Sequence, residues 1–171
     1  MIDFNHEEAI ARPGSFSAYD MMAIYPSLQK IPKNGLYVEI GVQHGRSLTF
    51  AREWSKGTVV GVDIDENHNF DERLKGKKNW EFIRGDANDV VKNWKRKIDV
   101  LFIDGDHSYE GVKKDWEAWS PFVKKGGIVF FHDCDDTSPG VRKLWDEIDK
   151  EKGLSRDTLN DRNTSMAWMK I

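Results

Sequence analysis

The sequence is poor in cysteine, in excess positive charge and in long apolar runs, and each shortage excludes a class of protein. Cys134 is the one cysteine among 171 residues, so no intrachain disulfide can form, which is typical of a reducing compartment. The formal net charge of -3 argues against broad non-specific binding to nucleic acid. No stretch approaches the roughly 18 apolar residues of a membrane helix. The N-terminus lacks a basic region followed by an apolar one, so we expect no signal peptide, no membrane partner and a cytoplasmic location.

Length and composition favour a single folded domain. The 171 residues are 39% hydrophobic and 32% charged, which is typical of a globular protein. The sequence contains no internal repeat and no low-complexity segment. We therefore expect one domain over residues 1–171, in which an N-terminal helical segment, 1–34, precedes an α/β core, 35–171. Helical structure is predicted over 15–28, ended by Pro26 or by Pro32.

Five apolar runs alternate with helical patterns along the core. They predict strands over about 36–41, 58–63, 80–83, 98–103 and 127–132. Helices are predicted over 47–54, 69–75, 89–94 and 108–119, with a further helix from Ser138. This alternation is typical of a Rossmann-like α/β fold, a doubly wound and mostly parallel sheet with helices on both faces. The alternating run 165–171 predicts a last strand that is antiparallel.

Acidic residues stand at the ends of several of these strands. Glu39 lies in the first strand, Asp63 and Asp104 end the second and fourth, and Asp133 follows the fifth. The carboxyl ends of parallel strands meet at one edge of a sheet, and open α/β sheets bind their ligands there. The sequence therefore predicts a ligand site at this edge.

The loop after the first strand indicates the charge of the ligand. Gly41 and Gly45 let the backbone approach a ligand closely, but their spacing is not the G-x-G-x-x-G that seats a pyrophosphate. Glu39 would repel a phosphate and suits a cationic amine or sulfonium. Asp63 follows Gly41 by about 20 residues, a distance typical of an acid that binds ribose hydroxyls. Asp86 either meets the amino group of an adenine or caps the helix that follows it.

These features resemble the class I S-adenosylmethionine (SAM)-dependent methyltransferases. The runs FIDGDHSYEGV over 102–112 and GGIVFFHD over 126–133 are similar to a bacterial subgroup that includes macrocin-type O-methyltransferases and cephalosporin-hydroxylase-like proteins. The resemblance implies that SAM is the cofactor, with Gly41 and Gly45 shaping the methionine pocket and Glu39 holding its amino group. The implied SAM-binding residues are Glu39, Gly41, Gln43, Gly45, Ser47, Asp63, Ile64, Asp86, Ala87 and Asp104.

The resemblance also implies a catalytic group and a metal-binding group. Asp104 would lie beneath the methyl donor, and His107 would be the general base for the acceptor hydroxyl, with Asp106 as the rival base. Proteins of the subgroup often bind a divalent cation, usually Mg²⁺, here through Asp104, His132 and Asp133. Because the imidazole of His132 departs from the usual oxygen ligands, it favours Mn²⁺, Fe²⁺ or Zn²⁺, or no metal at all.

We therefore expect SAM-dependent O-methylation of a hydroxyl on a small-molecule acceptor, such as a sugar or a phenol. The chain has little insertion that could cover an acceptor, so the pocket is either open or completed by a second subunit in a homodimer. Two other functions remain open. One is an NAD(P)-dependent oxidoreductase on the same fold, which the glycine spacing and Glu39 oppose. The other is a SAM- or nucleoside-binding module without catalysis, which would hold if Asp104, His107 and Asp133 faced away from the donor.

Overall fold

The computed structural model describes residues 16–65, 78–152 and 166–171, which form a six-stranded sheet with helices on both sides. The strands are β1 (Leu36–Ile40), β2 (Thr58–Asp63), β3 (Trp80–Arg84), β4 (Ile98–Ile103), β5 (Val123–Phe131) and β6 (Ala167–Lys170). The helices are α1 (Ala18–Lys30), α2 (Arg46–Trp54), α3 (Ala87–Val90), α4 (Tyr109–Trp119) and α5 (Pro139–Lys152). Short 3₁₀ turns follow α3 and α4, over Val91–Asn93 and Ser120–Phe122.

The strands of the sheet have the order β3-β2-β1-β4-β5-β6. The neighbouring pairs among β1 to β5 are parallel, and β6 runs antiparallel to β5, with Trp168 opposite Phe130. The chain builds outward from β1 to β3 and then crosses to β4 on the other side of β1, so the strand order reverses between β1 and β4. The predicted Rossmann-like α/β fold and the antiparallel last strand are both confirmed.

Different helices cover the two faces of the sheet. On one face, α4 and α5 pack through Val112 and Leu144 in one cluster with strand residues such as Leu101. On the other face, α1 and α2 pack through Leu28 and Leu48 in a second cluster that includes Tyr37. Because both faces are covered, the central strands are continuous apolar runs, as the sequence showed.

Side-chain caps determine where two of the helices begin. Ser108 accepts a hydrogen bond from the N–H of Gly111 at 3.1 Å and starts α4 where the sequence predicted. Asp86 accepts a hydrogen bond from the N–H of Asn88 at 2.7 Å, so α3 starts at Ala87, two residues before the predicted start. Asp86 therefore does cap this helix, which was one of its two predicted roles.

Other boundaries depend on tertiary packing. Helix α1 contains Pro26 and continues to Lys30, because the buried Leu28 and Ile31 that follow Pro26 pack in the core and offset the lost hydrogen bond. Strand β5 begins at Val123, before the predicted residue 127, since Val123 pairs with β4 across a register shift. The helix predicted over 69–75 lies outside the described residues. Among the helices described, none combines the length and apolar composition that crossing a membrane requires.

Two glycines with nearly the same positive φ allow a test of packing at the sheet edge. Gly41 has a φ of 84° and Gly126 a φ of 83°, so an alanine is strained at both positions. A Cβ atom at Gly41 would collide with the backbone carbonyl of Asp104. Among the residues that the structure describes, a Cβ atom at Gly126 would meet only the Cε atom of Lys170, at 3.7 Å.

We expect Gly126→Ala to lower the free energy of unfolding by about 1 kcal/mol, the cost of backbone strain alone. Gly41→Ala should lower it by about 2 kcal/mol more, because the loop after β1 must then separate from the end of β4. Urea unfolding followed by tryptophan fluorescence measures both values. Equal losses in the two variants would contradict the close contact between Gly41 and Asp104.

Candidate functional site

A cavity of about 580 Å³ lies at the carboxyl ends of β1, β2, β3 and β4. This is where the strand order reverses, the place where open α/β sheets bind their ligands, and the volume is in the range of small-molecule sites. The predicted cofactor-binding residues that line it are Gly41, Gln43, Asp63, Ile64, Asp86, Ala87 and Asp104. The predicted catalytic residues Asp106 and His107 line it too.

Acidic side chains dominate the charge of this cavity. Its carboxyl groups belong to Asp63, Asp86, Asp104, Asp106, Glu110 and Asp115. The basic side chains in its described lining are Lys114 and His107. Such a lining favours a cationic ligand and opposes a ligand that carries phosphates.

Asp63 fixes the loop that follows β1. Its Oδ2 atom accepts hydrogen bonds from the N–H groups of Val42 at 2.7 Å and Gln43 at 2.8 Å, and its Oδ1 atom accepts one from the N–H of Asp65 at 2.9 Å. Gln43 has a φ of 46°, so the loop turns sharply where it meets this carboxylate. Asp63 therefore shapes the cavity in addition to lining it, a role that the spacing from Gly41 did not reveal.

Glu39 does not reach the cavity. Its side chain is fully buried, and its two oxygens accept hydrogen bonds from the hydroxyl groups of Tyr37 at 2.7 Å and Ser47 at 2.6 Å. Burial raises the pKa of Glu39 to about 8, although these hydrogen bonds favour the charged form. Neither oxygen of Glu39 lines the cavity, and this position opposes the prediction that Glu39 holds an amino group of the ligand.

Ser47 and Gly45 are also absent from the described lining of the cavity. Ser47 is buried beside Glu39 in the first turn of α2. Gly45 has a φ of 69° and precedes the first residue of α2, so it turns the chain into the helix. The structure thus assigns these two predicted residues to supporting the loop, while Gly41 and Gln43 face the cavity.

A second group of polar side chains lies at the ends of β4 and β5. The Nε2 atom of His107 is 3.4 Å from Oδ1 of Asp104, and its Nδ1 atom is 3.4 Å from Oδ2 of Asp133. One ligand atom from each of these three residues lies within 4.8 Å of the other two, an arrangement that can hold a metal ion. The hydrogen bond with Asp104 raises the pKa of His107, although its partial burial opposes the charge.

His132 lies behind this group and is fully buried. Its Nδ1 atom is 3.0 Å from Oδ1 of Asp104, and its Nε2 atom is 3.5 Å from Oδ2 of Asp20 in α1. Burial opposes a charge on the ring, but its hydrogen bond with Asp104 and the nearby carboxylates of Asp133 and Asp20 outweigh burial and raise the pKa of His132 to about 12.

The ligand atoms that lie together belong to Asp104, His107 and Asp133, so the arrangement favours His107 as an imidazole ligand of a metal. The predicted ligand His132 contacts the same two carboxylates from the buried side. Asp20 was not predicted to belong to this region. The one sequence signal that concerns it is the capping box with Ser17, which indicates a helix start and nothing about a site.

Asp106 is held by its own loop. Its Oδ1 atom accepts a hydrogen bond from the N–H of Ser108 at 2.8 Å, and its side chain packs where a Cβ atom at Gly111 would stand. These contacts give Asp106 a structural role at the start of α4. They favour His107 over Asp106 as the group that accepts a proton.

Sequence reasoning missed several polar residues of the cavity, and two of them, Asn88 and Asp115, are joined by a hydrogen bond. Asp115 is 5% exposed, and its Oδ1 atom accepts a hydrogen bond from the amide of Asn88 at 3.2 Å. Asp115 lies on the apolar face of α4, which the buried Val112 and Trp119 define. A carboxyl on an apolar helix face was the signal that could have identified it.

The raised pKa of Glu39 predicts that the free energy of unfolding depends on pH. Because the folded value of about 8 exceeds the ordinary value of 4.5, the folded state holds a proton that the unfolded state has lost. Stability from this group is thus complete below pH 4.5 and is lost as the pH rises toward 8, by up to about 1.4 kcal/mol per pH unit.

We expect Glu39→Gln to flatten the pH dependence of the free energy of unfolding across this interval. Urea unfolding at several pH values measures the slope. Glu117→Gln is the matched control, because Glu117 is exposed on α4 and its side chain is 63% accessible. A slope that is unchanged in Glu39→Gln would mean that Glu39 is already ionised at neutral pH.

Comparison with known proteins assigns the chain to a family. A family model described as a methyltransferase domain matches residues 38–134, which is more than half of the chain. Protein R132 of Acanthamoeba polyphaga mimivirus is 31% identical over 137 residues, 68% of this chain and 62% of that protein. The chain therefore spans less than two thirds of the length of this relative.

Solved structures have the same fold at low sequence identity. CalS11, a TDP-rhamnose 3'-O-methyltransferase of calicheamicin biosynthesis, has a TM-score of 0.67 and 20% identity, over 91% of this chain and 81% of its own. MycE, a methyltransferase of the mycinamycin biosynthetic pathway solved with Mg and SAH, has a TM-score of 0.67 and 18% identity, over 96% of this chain and 52% of its own. With the family match over 38–134, the predicted resemblance is confirmed: the chain belongs to the methyltransferase-domain family.

Proposed function

We propose that this protein transfers a methyl group from SAM to a hydroxyl group of a small molecule. The observation that carries the proposal is the acidic cavity at the point where the strand order reverses, in a chain of the methyltransferase-domain family. In the reaction the hydroxyl oxygen bonds to the methyl carbon, the bond between that carbon and sulfur breaks, and S-adenosylhomocysteine (SAH) leaves. The hydroxyl proton passes to a base of the protein or to water.

The charge of the cavity supports SAM over a nicotinamide dinucleotide. SAM carries a sulfonium and an ammonium group, and the cavity lining has more acidic than basic side chains. NAD(P) carries phosphates, which these carboxylates would repel. Asp63 and Asp86 stand at the ends of β2 and β3, where they would bind the ribose and the adenine. The ammonium group would lie near Gly41 and Gln43, in place of the predicted contact with Glu39.

The acceptor would lie at the end of the cavity that Asp104 and His107 form. His107 lines the cavity and its side chain is 41% exposed, so its ring is accessible to a substrate. The Nε2 atom of His107 lies 3.4 Å from Oδ1 of Asp104, a contact that would orient the ring. CalS11 is a TDP-rhamnose 3'-O-methyltransferase, which supports a hydroxyl of a sugar or of a similar small alcohol as the acceptor here. We extend the proposal to a homodimer in which a second subunit completes the acceptor pocket.

Asp104, His107 and Asp133 would hold a divalent cation. Two carboxylates and one imidazole suit Mn²⁺, Fe²⁺ or Zn²⁺ better than Mg²⁺, which prefers oxygen ligands. The MycE structure contains Mg, so a cation is compatible with this fold. When bound, the cation would act as a Lewis acid that makes the acceptor hydroxyl easier to deprotonate. His107 cannot use one nitrogen both as a metal ligand and as the base, so the two roles exclude each other at that atom.

Calorimetric titration with SAM, and with NAD as the control, tests the proposed cofactor. We expect wild-type protein to bind SAM and not NAD. Asp63→Ala should weaken SAM binding by at least about tenfold, or 1.4 kcal/mol, because it removes a ribose ligand and releases the loop amides of Val42 and Gln43. Asp89→Ala is the control, since Asp89 is exposed and forms a surface ion pair with Lys92.

Each outcome of this titration bears on one of the three functions. Binding of NAD would replace the methyltransferase proposal with an oxidoreductase. Binding of SAM without methyl transfer to any of a panel of sugars and phenols would favour a binding module. Unchanged SAM affinity in Asp63→Ala would contradict the ribose assignment while leaving SAM as the ligand.

The role of His107 is tested by His107→Gln. If it is a metal ligand, the affinity for Mn²⁺ should fall by at least about tenfold, since even indirect partners of a metal site are worth that much. Methyl transfer should fall as well, and SAM affinity measured without metal should stay the same. His44→Gln is the control, because His44 is exposed in the loop after β1 and absent from the described cavity lining. Methyl transfer that survives a chelator would reject the cation and leave His107 as the base.

A further inference from the structure

Asn88 and Asp115 line the cavity, yet none of the roles described so far uses them. Asn88 follows β3, on the same side of the cavity as Asp86, and Asp115 faces it from α4. The amide nitrogen of Asn88 donates a hydrogen bond to Oδ1 of Asp115 at 3.2 Å. The two side chains therefore act as a pair that joins two walls of the cavity.

Asp115 is a buried acid without a cationic partner. It is 5% exposed, and among the described residues no Lys, Arg or His forms an ion pair with it. Within the same part of the chain, Asn88 provides the one hydrogen bond to its carboxyl group, through Oδ1. Burial raises the pKa of Asp115 to about 6, and the charges of Asp86 and Asp106 add to this effect.

A buried carboxyl group without a cationic partner lowers stability. The hydrogen bond with Asn88 indicates what Asp115 does at this position. An ionised carboxyl only accepts hydrogen bonds. It therefore fixes which way the amide of Asn88 points, with the nitrogen toward Asp115 and the Oδ1 oxygen left as an acceptor. The second oxygen of Asp115, Oδ2, has no donor among the described residues.

The end of the cavity that Asn88 and Asp115 form therefore presents hydrogen-bond acceptors to a ligand. The Oδ1 atom of Asn88 and the Oδ2 atom of Asp115 can each accept a hydrogen bond, and Asp86 adds further carboxylate oxygen. Such a surface matches an exocyclic amino group, which donates two hydrogen bonds. The same surface disfavours a carbonyl oxygen, because two acceptors would then face each other with no hydrogen atom to form a hydrogen bond.

We propose that Asp115 is a specificity-determining residue that, through Asn88 and directly, selects an amino-bearing base such as adenine over a base with a carbonyl at the same position. The inference rests on the proposed function, in which an adenosyl ligand occupies this cavity. The inference adds discrimination between nucleosides to that function. Asp86 alone does not provide this discrimination, because its carboxylate also caps α3.

The test compares two ligands that differ at this one position. SAH carries adenine, and S-inosylhomocysteine carries hypoxanthine, which has a carbonyl in place of the amino group. We expect wild-type protein to bind SAH at least about tenfold more tightly, since a site built to pair with a donor rejects an analogue that lacks it. Asp115→Asn should reduce this preference by about tenfold, because an amide can donate as well as accept and no longer fixes the orientation of Asn88.

The controls separate specificity from folding. Glu117→Gln lies two residues further along α4, has a side chain that is 63% exposed, and should keep the wild-type preference. Asn88→Ala is the second variant, and it should lower the preference even if Asp115→Asn proves unstable. Thermal unfolding of each variant accompanies the titrations, so that loss of folded protein is not counted as loss of affinity.

The possible results have distinct meanings. A preference for SAH that falls in Asp115→Asn and in Asn88→Ala supports the inference. If both ligands weaken equally, or if the preference is unchanged in both variants, Asp115 has a structural role only and the inference is overturned, while SAM binding stands. If wild-type protein binds neither ligand, the proposed function fails and this inference fails with it.

Discussion

The parallel pairing of β1 with both β2 and β4 is the constraint on which the site depends. Ile40 is in register with Val62 on one side and with Ile103 on the other. The N–H of Gly41 donates to Val62 and the N–H of Asp104 donates to Ile40, so the ladder continues one residue past each strand. Gly41, Asp63 and Asp104 therefore emerge side by side at one edge, although they are far apart in the sequence. The cavity forms because the crossovers then leave this edge in opposite directions.

Gathering carboxylates at one edge carries an electrostatic cost, and the structure offsets it in different ways at different residues. The backbone N–H groups of the loop after β1 offset the negative charge of Asp63. Asp104 and Asp133 both contact the ring of His132, and their carboxylates raise its pKa. Burial raises the pKa of Glu39 to about 8, and the hydroxyl groups of Tyr37 and Ser47 donate hydrogen bonds to it. Asp63 and Asp104 line the cavity together with Asp86, Asp106, Glu110 and Asp115, so a cationic ligand there would offset the remaining negative charge.

The histidines at the ends of β4 and β5 illustrate how burial separates two residues of the same type. His132 is 1% exposed and lies among three carboxylates, which raise its pKa. His107 is partly exposed at the start of α4, where it can meet a substrate or a metal ion. The first supports the position of Asp104, and the second is available for chemistry. Helix α1 takes part through Asp20, so the N-terminal helix contributes to the environment of the site as well as to the core.

The sequence by itself determined the fold and the edge at which the site lies. Apolar runs that end at Asp63 and Asp104 have the length and composition of buried parallel strands, and these local signals do not depend on distant contacts. Only the tertiary structure decided which of the polar residues reach the cavity. Glu39 and Ser47 turn into the core, His107 joins Asp104 and Asp133 in one group, and Asp115 enters the cavity from the apolar face of α4. The physical reason is that side-chain direction at a strand end, and the packing of a helix against the sheet, depend on contacts between residues that are distant in the sequence.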